Sequence, residues 1–219
     1  MLLSKLRKMK KILLGFIAIG LLTFVGCGTS SSVKIGEQEW MSKNLNVDHF
    51  RNGDIILEAK TDEEWEKAGK ENRPAWCYYD NDISNGEKYG KLYNWYAVND
   101  PRGLAPEGWQ VPTDSEWTVL TIYLSADGHD GKEGTALKAT SGWGSGRNGT
   151  DDYEWNGLPG GSRFHDDSFI GIGGLGDWWS SSQFSASRAR IRSLAYFNGG
   201  LIKGRGSKEN GFSVRCLRD

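Results

Sequence analysis

From Gly142 to about position 200 the helical spacing of apolar residues disappears, and Gly, Trp, Ser and Asn dominate the chain. A compact domain does not carry so long a segment as plain loop. It is held by aromatic packing, carries function, or both. Trp143, Trp155, Trp178 and Trp179 are the candidates for that packing, in a chain whose 219 residues include 10 Trp and 30 Gly. Within this half, "SLAYF" (193–197) and "FSVRCL" (212–217) read as strands. The intervening "NGG" (198–200) reads as a hairpin turn, because Asn and Gly tolerate positive φ.

The earlier half has regular signals of another kind. "VKIGEQEWMSKNL" reads as a short strand anchored by Ile35 and Trp40. In "KTDEEWEKAGK", Thr61 precedes Glu64 by three positions, the spacing of a capping box in which hydroxyl and carboxylate each satisfy an orphan backbone N–H. "VPTDSEWTVLTIYL" repeats the device with Thr113 and Glu116, and Trp117, Leu120 and Leu124 then share one helical face. Glu64 and Glu116 are thereby read as caps, not as a catalytic acid pair. Two helices followed by small strands and loops predict an α+β domain.

The chain begins with five bases and no acid in its first 26 residues, and "ILLGFIAIGLLTFV" follows the bases. An apolar run of about 14 residues is shorter than the ~20 a membrane span needs, and the layout is that of a signal peptide. "FVGC" resembles a bacterial lipobox, which implies cleavage after Gly26 and acylation of Cys27. The predicted organisation is a lipoprotein signal peptide over 1–26, a short tether over 27–32 and one domain over 33–219. The chain is thus expected in the cell envelope, lipid-anchored at Cys27, with the outer membrane favoured. "GTSSSV" lacks the acidic residues that send some lipoproteins outward, which leans toward the periplasmic leaflet.

Without the first 26 residues the net charge is −6, and it is uneven. Residues 27–182 carry −12 and residues 183–219 carry +6. A basic end on an acidic body points to an anionic partner or to internal charge complementarity. Beyond Cys27 two cysteines remain, Cys77 and Cys216. In an exported protein a pair of thiols is expected to form a disulfide. Such a bond would close a loop of ~140 residues, worth on the order of 4–5 kcal/mol in the chain-entropy model.

Catalytic and cofactor signatures fail on spacing. "GIGGLG" (171–176) has the glycines of a dinucleotide loop but is followed by "DWWSSS" and not by a helix that could receive a phosphate. "DNDISNGE" (80–87) groups oxygen ligands, yet the position that closes a calcium loop is Lys91. No cofactor, metal, nucleic-acid partner or catalytic residue is expected.

The blocks "WCYYDND", "YGKLYNWYAVNDPRGLAPEGWQVPTDSEW", "WWSSS" and "GFSVRCLRD" resemble the Fibrobacter succinogenes major paralogous (FISUMP) domain, from "VKIGEQEWMSKNLNV" to the end of the chain. That family is similar to the formylglycine-generating-enzyme branch of the C-type-lectin-like folds. The resemblance implies a C-type-lectin-like α+β domain with two helices and a loop-rich C-terminal half of short antiparallel strands. The oxidase branch binds copper through a pair of cysteines near its end; only Cys216 is present here, so the resemblance implies no catalysis, and Cys77 in the "CYY" block is consistent with the disulfide. In such folds the C-terminal half often displays a ligand surface. Some members also resemble the variable proteins of diversity-generating retroelements, and residues 183–206 occupy the diversified place. Arg188, Arg190 and Arg192 alternate, so they are predicted on one strand face. With Phe184, Tyr196, Phe197, Asn198, Lys203 and Arg205 they form the expected binding surface for a protein or glycan ligand. A structural part in a surface or fimbrial assembly is the alternative, and an oxidase-like enzyme a more distant one.

Overall fold

The computed structural model describes residues 31–219; the expected signal peptide and Cys27 lie outside the described residues. In chain order the strands are β1 (Ser32–Ile35), β2 (Gln38–Met41), β3 (Leu57–Glu58), β4 (Ala75–Cys77), β5 (Leu92–Tyr93), β6 (Trp109–Gln110), β7 (Gly160–Arg163), β8 (Phe169–Ile172), β9 (Leu175–Gln183), β10 (Arg188–Ala195), β11 (Ile202–Ser207) and β12 (Leu217–Arg218). The helices are α1 (Asp62–Lys70), α2 (Ile83–Tyr89), α3 (Trp95–Val98), α4 (Asp114–Leu124) and α5 (Glu133–Leu137). The domain is α+β.

Both capping boxes form. The Thr61 hydroxyl accepts the Glu64 N–H at 3.2 Å, and the Glu64 carboxylate accepts the Thr61 N–H at 3.3 Å. At α4 the same pair of bonds joins Thr113 and Glu116 at 3.2 and 2.7 Å. Trp117, Leu120 and Leu124 are fully buried, as their spacing predicts. Three further helices, α2, α3 and α5, were not expected; each is too short to display periodicity. The "DNDISNGE" segment enters α2, where the Asp82 carboxylate accepts the Ser84 N–H. "VKIGEQEWM" is a hairpin, β1 against β2, rather than one strand.

The strands form three sheets: β1-β2-β12-β6, β3-β4-β5, and β11-β10-β9-β7-β8. The largest sheet lies in the half expected to be mostly loop, and its β9 and β10 run to nine and eight residues. Apolar periodicity missed β9 because most of it is buried on both faces, indoles and serines alike, whereas β10 was legible from the alternating arginines and "SLAYF". "GIGGLG" is the turn from β8 into β9, with Gly171 and Gly173 at positive φ and no helix after it. The "NGG" connection does join β10 to β11, but none of its three residues has positive φ. The glycine required for close approach is its neighbour on α5. A Cβ on Gly134 of α5 would stand 2.4 Å from the Gly200 carbonyl oxygen, so this tip is packed directly onto α5.

Two apolar cores meet at the C-terminal segment. Phe212, Val214 and Cys216 enter one core with Trp76, Tyr93, Trp95 and Trp179. The other holds Trp40, Trp117, Trp143, Trp155 and Trp178. Its indoles contact one another directly, with Trp40–Trp117 centroids at 4.7 Å and Trp155–Trp178 at 5.1 Å. All four tryptophans of the glycine-rich half are buried, as the packing expectation required. "FSVRCL" is extended but only its end is ladder-paired: Phe212 bridges to Tyr93, Ser213 to Trp178, and Leu217 pairs with β2 and β6.

Because the Thr113 hydroxyl satisfies an orphan N–H on a helix whose inner face fills the tryptophan core, Thr113→Ala is expected to cost ~1 kcal/mol. For a domain of this size that is a fall of roughly 2–4 °C in melting temperature. An unchanged melting temperature in calorimetry would remove the cap from any structural role.

Candidate functional site

The β10–β11 hairpin carries most of the expected binding residues. Antiparallel register places Arg190 opposite Arg205 and Arg192 opposite Lys203, so all four point to one face of the hairpin. Phe184, in the turn between β9 and β10, lies between two guanidinium groups, with Arg190 4.4 Å and Arg205 4.8 Å from its ring centroid. Arg188 and Arg205 are exposed and Arg190 half-buried. Among the described residues no carboxylate lies within ion-pair distance of any of the three. Like charges directly opposite on neighbouring strands destabilise a sheet, and the shared ring offsets only part of that.

Arg192 does not belong to this exposed row. The N-terminus of α4 lies over the middle of β10, and Arg192, 2% exposed, donates to the Asp114 carboxylate at 2.7 Å and to the Asp114 carbonyl and Thr118 hydroxyl. Lys203 joins the same carboxylate at 2.8 Å. These two cations are internal partners of an acid on the body of the domain. Sequence alternation placed Arg192 on one face with Arg188 and Arg190 but could not show that a helix covers it. Burial opposes ionisation of Asp114, but the hydrogen bonds from Lys203 and Arg192 outweigh it and hold its pKa below the ordinary carboxylate value.

Tyr196, Phe197 and Asn198 form a separate surface. They follow the far end of β10, about 20 Å from Arg190 at ~3.3 Å per residue. Tyr196 and Phe197 are exposed and meet edge to face at 5.2 Å, beside a cleft of about 240 Å³ that also takes in Thr135, Lys138 and Arg147. The Asn198 side chain accepts the Gly200 N–H, and the buried Lys138 ammonium donates to the Ala195 and Asn198 carbonyls. The expected single surface is therefore two, an arginine–phenylalanine patch at one end of the hairpin and an aromatic pair at the other.

The expected disulfide is absent: Cys77 and Cys216 are both free and buried. Neighbouring residues of a strand point to opposite faces. Trp76 of β4 enters the core that contains Cys216, so Cys77 turns the other way, into a cluster with Trp65, Tyr79 and Leu92. Counting thiols could not reveal that the two occupy different layers. Burial pushes both thiols up to about 12, which leaves them protonated and unsuited to nucleophilic attack. Among the described residues no group of three or more His, Cys, Asp or Glu side chains is placed to hold a metal ion.

The match to a known family now covers the whole described fold: the Fibrobacter succinogenes major domain matches residues 33–218. The chain belongs to that family. No curated protein and no solved structure matches the chain. For this FISUMP domain the site description thus rests on its own geometry, in which the arginine–phenylalanine patch gathers three arginines without an ion-pair partner among the described residues.

Two outcomes follow from the corrected positions. Reductant is expected to leave the melting temperature unchanged, and a thiol reagent should label Cys77 and Cys216 only after unfolding; a bridged pair in the non-reduced protein would contradict the free thiols. Asp114→Asn is expected to cost roughly 2 kcal/mol, because it strands a buried guanidinium. Since folding lowers the Asp114 pKa, the stability it contributes is present above the unfolded value near ~3.9 and is lost as pH falls through the folded value. Acid denaturation of D114N should therefore show a shallower slope below about pH 4.

Proposed function

We propose that this FISUMP domain is a non-catalytic, envelope-anchored binding module on a C-type-lectin-like scaffold, and that its Phe184–Arg188–Arg190–Arg205 patch takes an acidic protein or glycan ligand. One observation carries the reading. Arg190 and Arg205 face each other in register on the same phenyl ring, without a carboxylate to neutralise them. A repulsive pair on a stable hairpin is costly to the fold and becomes favourable when an anion bridges it. Guanidinium groups bind carboxylate or sulfate bidentately, and the ring fixes their planes.

The scaffold suits presentation. Ala189 and Ile191 are buried on the opposite face of the hairpin, so the exposed side chains stand on a rigid support. With the lipid at Cys27, only a few residues separate the bilayer from β1, a reach of roughly 15 Å at ~3.5 Å per residue. The patch would then work close to the membrane that holds it. Diversification of residues 183–206 by a retroelement is the genetic form of the same reading. Phe184, Arg188, Arg205, Tyr196 and Phe197 are exposed and could vary without disturbing the core. A reverse-transcriptase gene beside a near-copy of these codons would establish it.

The biochemical test is binding of the purified protein to arrays of sulfated glycans and of acidic peptides. Arg190→Ser/Arg205→Ser is expected to lose at least ten-fold in affinity with a melting temperature that does not fall and that rises as the repulsion is relieved. Binding that survives the double change sinks this surface as the site. Failure of every acidic probe favours a structural role in a surface assembly.

A further inference from the structure

Arg215 is the least expected charge of the fold, because it is 1% exposed and has no carboxylate within ion-pair distance among the described residues. Its guanidinium donates only to neutral acceptors: the Asn44 side-chain oxygen and the carbonyls of Met41, Trp155 and Asn156. Burial pulls its pKa down to about 9, with the field of Asp151 acting the other way, so it remains a cation at neutral pH. A desolvated cation with no carboxylate in contact retains an attraction for an anion that can reach it.

A cleft opens above it. The space, about 280 Å³, lies between the segment after β2, the α2 helix and the 151–158 loop, and Arg215 forms part of its lining. Its walls are polar, with Asn44, Asn46 and Asn156 and the single apolar side chain Leu158. Lys43 and Lys88 are exposed on its rim, and neither is ion-paired. The Asn156 side chain makes no hydrogen bond to the protein, while its backbone is committed to Arg215 and Asp151. Glu87 is the one acid in the lining.

The loop that completes the cleft is held in an uncommon conformation. Asp151, Glu154 and Asn156 all have φ between 50° and 55°, the left-handed region that non-glycine residues seldom adopt. Three such residues within six positions are maintained by the surrounding structure, and such clusters gather at sites that bind. Here the conformation delivers the Trp155 and Asn156 carbonyls to Arg215 and leaves the Asn156 amide free at the cleft.

We infer that this cleft is a second binding site, separate from the hairpin patch, for a sugar-sized acid whose carboxylate meets Lys43, Lys88 and the field of Arg215 while its hydroxyls meet the Asn46 and Asn156 amides. The volume admits one pyranose ring, and the polar walls match hydroxyls better than they match an aromatic or aliphatic acid. The site does not depend on the hairpin reading, since the two share no residue.

Isothermal titration of the full chain in detergent with galacturonate, and with galactose as the neutral counterpart, tests the inference. Galacturonate is expected to bind at least ten-fold more tightly than galactose. Lys43→Gln/Lys88→Gln should abolish that preference without moving the melting temperature, both residues being exposed. Arg190→Ser/Arg205→Ser should leave galacturonate binding as it is. Arg215 is too embedded in the fold to serve as the variant. The inference is overturned if galacturonate gives no heat, if galactose binds equally well, if the lysine pair proves indifferent, or if the Arg190/Arg205 change removes the signal instead.

Discussion

The Arg215 guanidinium ties together parts of the chain that are far apart in sequence. It stacks on Trp155 at 4.1 Å, bonds to the Met41 and Trp155 carbonyls, and shares the Asn44 side-chain oxygen with the indole N–H of Trp178. The Asn44 amide, in turn, donates to the Tyr89 carbonyl. Burying a cation carries a penalty of several kcal/mol, which only well-formed hydrogen bonds can offset. The arrangement therefore works as a single unit. Two tryptophan-rich cores could slide against each other with little loss of apolar burial, but a guanidinium with fixed N–H directions admits one alignment. Phe212, Val214 and Cys216 on one side of the segment and Arg215 on the other fix where each core ends.

The same residue type is used in two opposite ways. Arg163, Arg192 and Arg215 are buried and structural: Arg163 lies 4.9 Å from the centroids of both Trp65 and Phe169 and bonds to Asp62, and Arg192 closes on Asp114. Arg190 and Arg205 lie over Phe184 without an acid partner. The basic character of the C-terminal segment is thus divided between the interior and the surface. Internal charge complementarity accounts for Arg192 and Lys203. It does not account for Arg188, Arg190 and Arg205, and this remainder is what a ligand can use.

Local signals in the sequence proved reliable where the physics is local. The two capping boxes mark α1 and α4 because a cap needs only residues three apart, and the tryptophans of the glycine-rich half announced a packed interior. Signals failed where the deciding contact is distant. The alternation of Arg188, Arg190 and Arg192 is real, yet Asp114, on a helix more than seventy positions earlier, takes Arg192 out of the surface. The count of exported thiols said nothing of the strand pleat that turns Cys77 away from Cys216. Neither "GFSVRC" nor its neighbours hinted that Arg215 would lie beneath a cleft, because its partners at Met41, Asn44 and Trp155 come together only in the folded chain.

Position on the scaffold separates the two candidate sites by mechanical character. The Phe184 patch stands at the end of a hairpin whose support is the apolar layer beneath it, so its side chains can change while the strands persist. The cleft above Arg215 is lined by residues that also hold the cores in register, so its floor cannot change without loss of the fold. A domain built this way can change the exposed side chains of its hairpin and keep a constant chemistry at the cleft. That division follows from where the buried guanidinium sits: close enough to a cavity to lend it charge, and too deeply bonded to be exchanged.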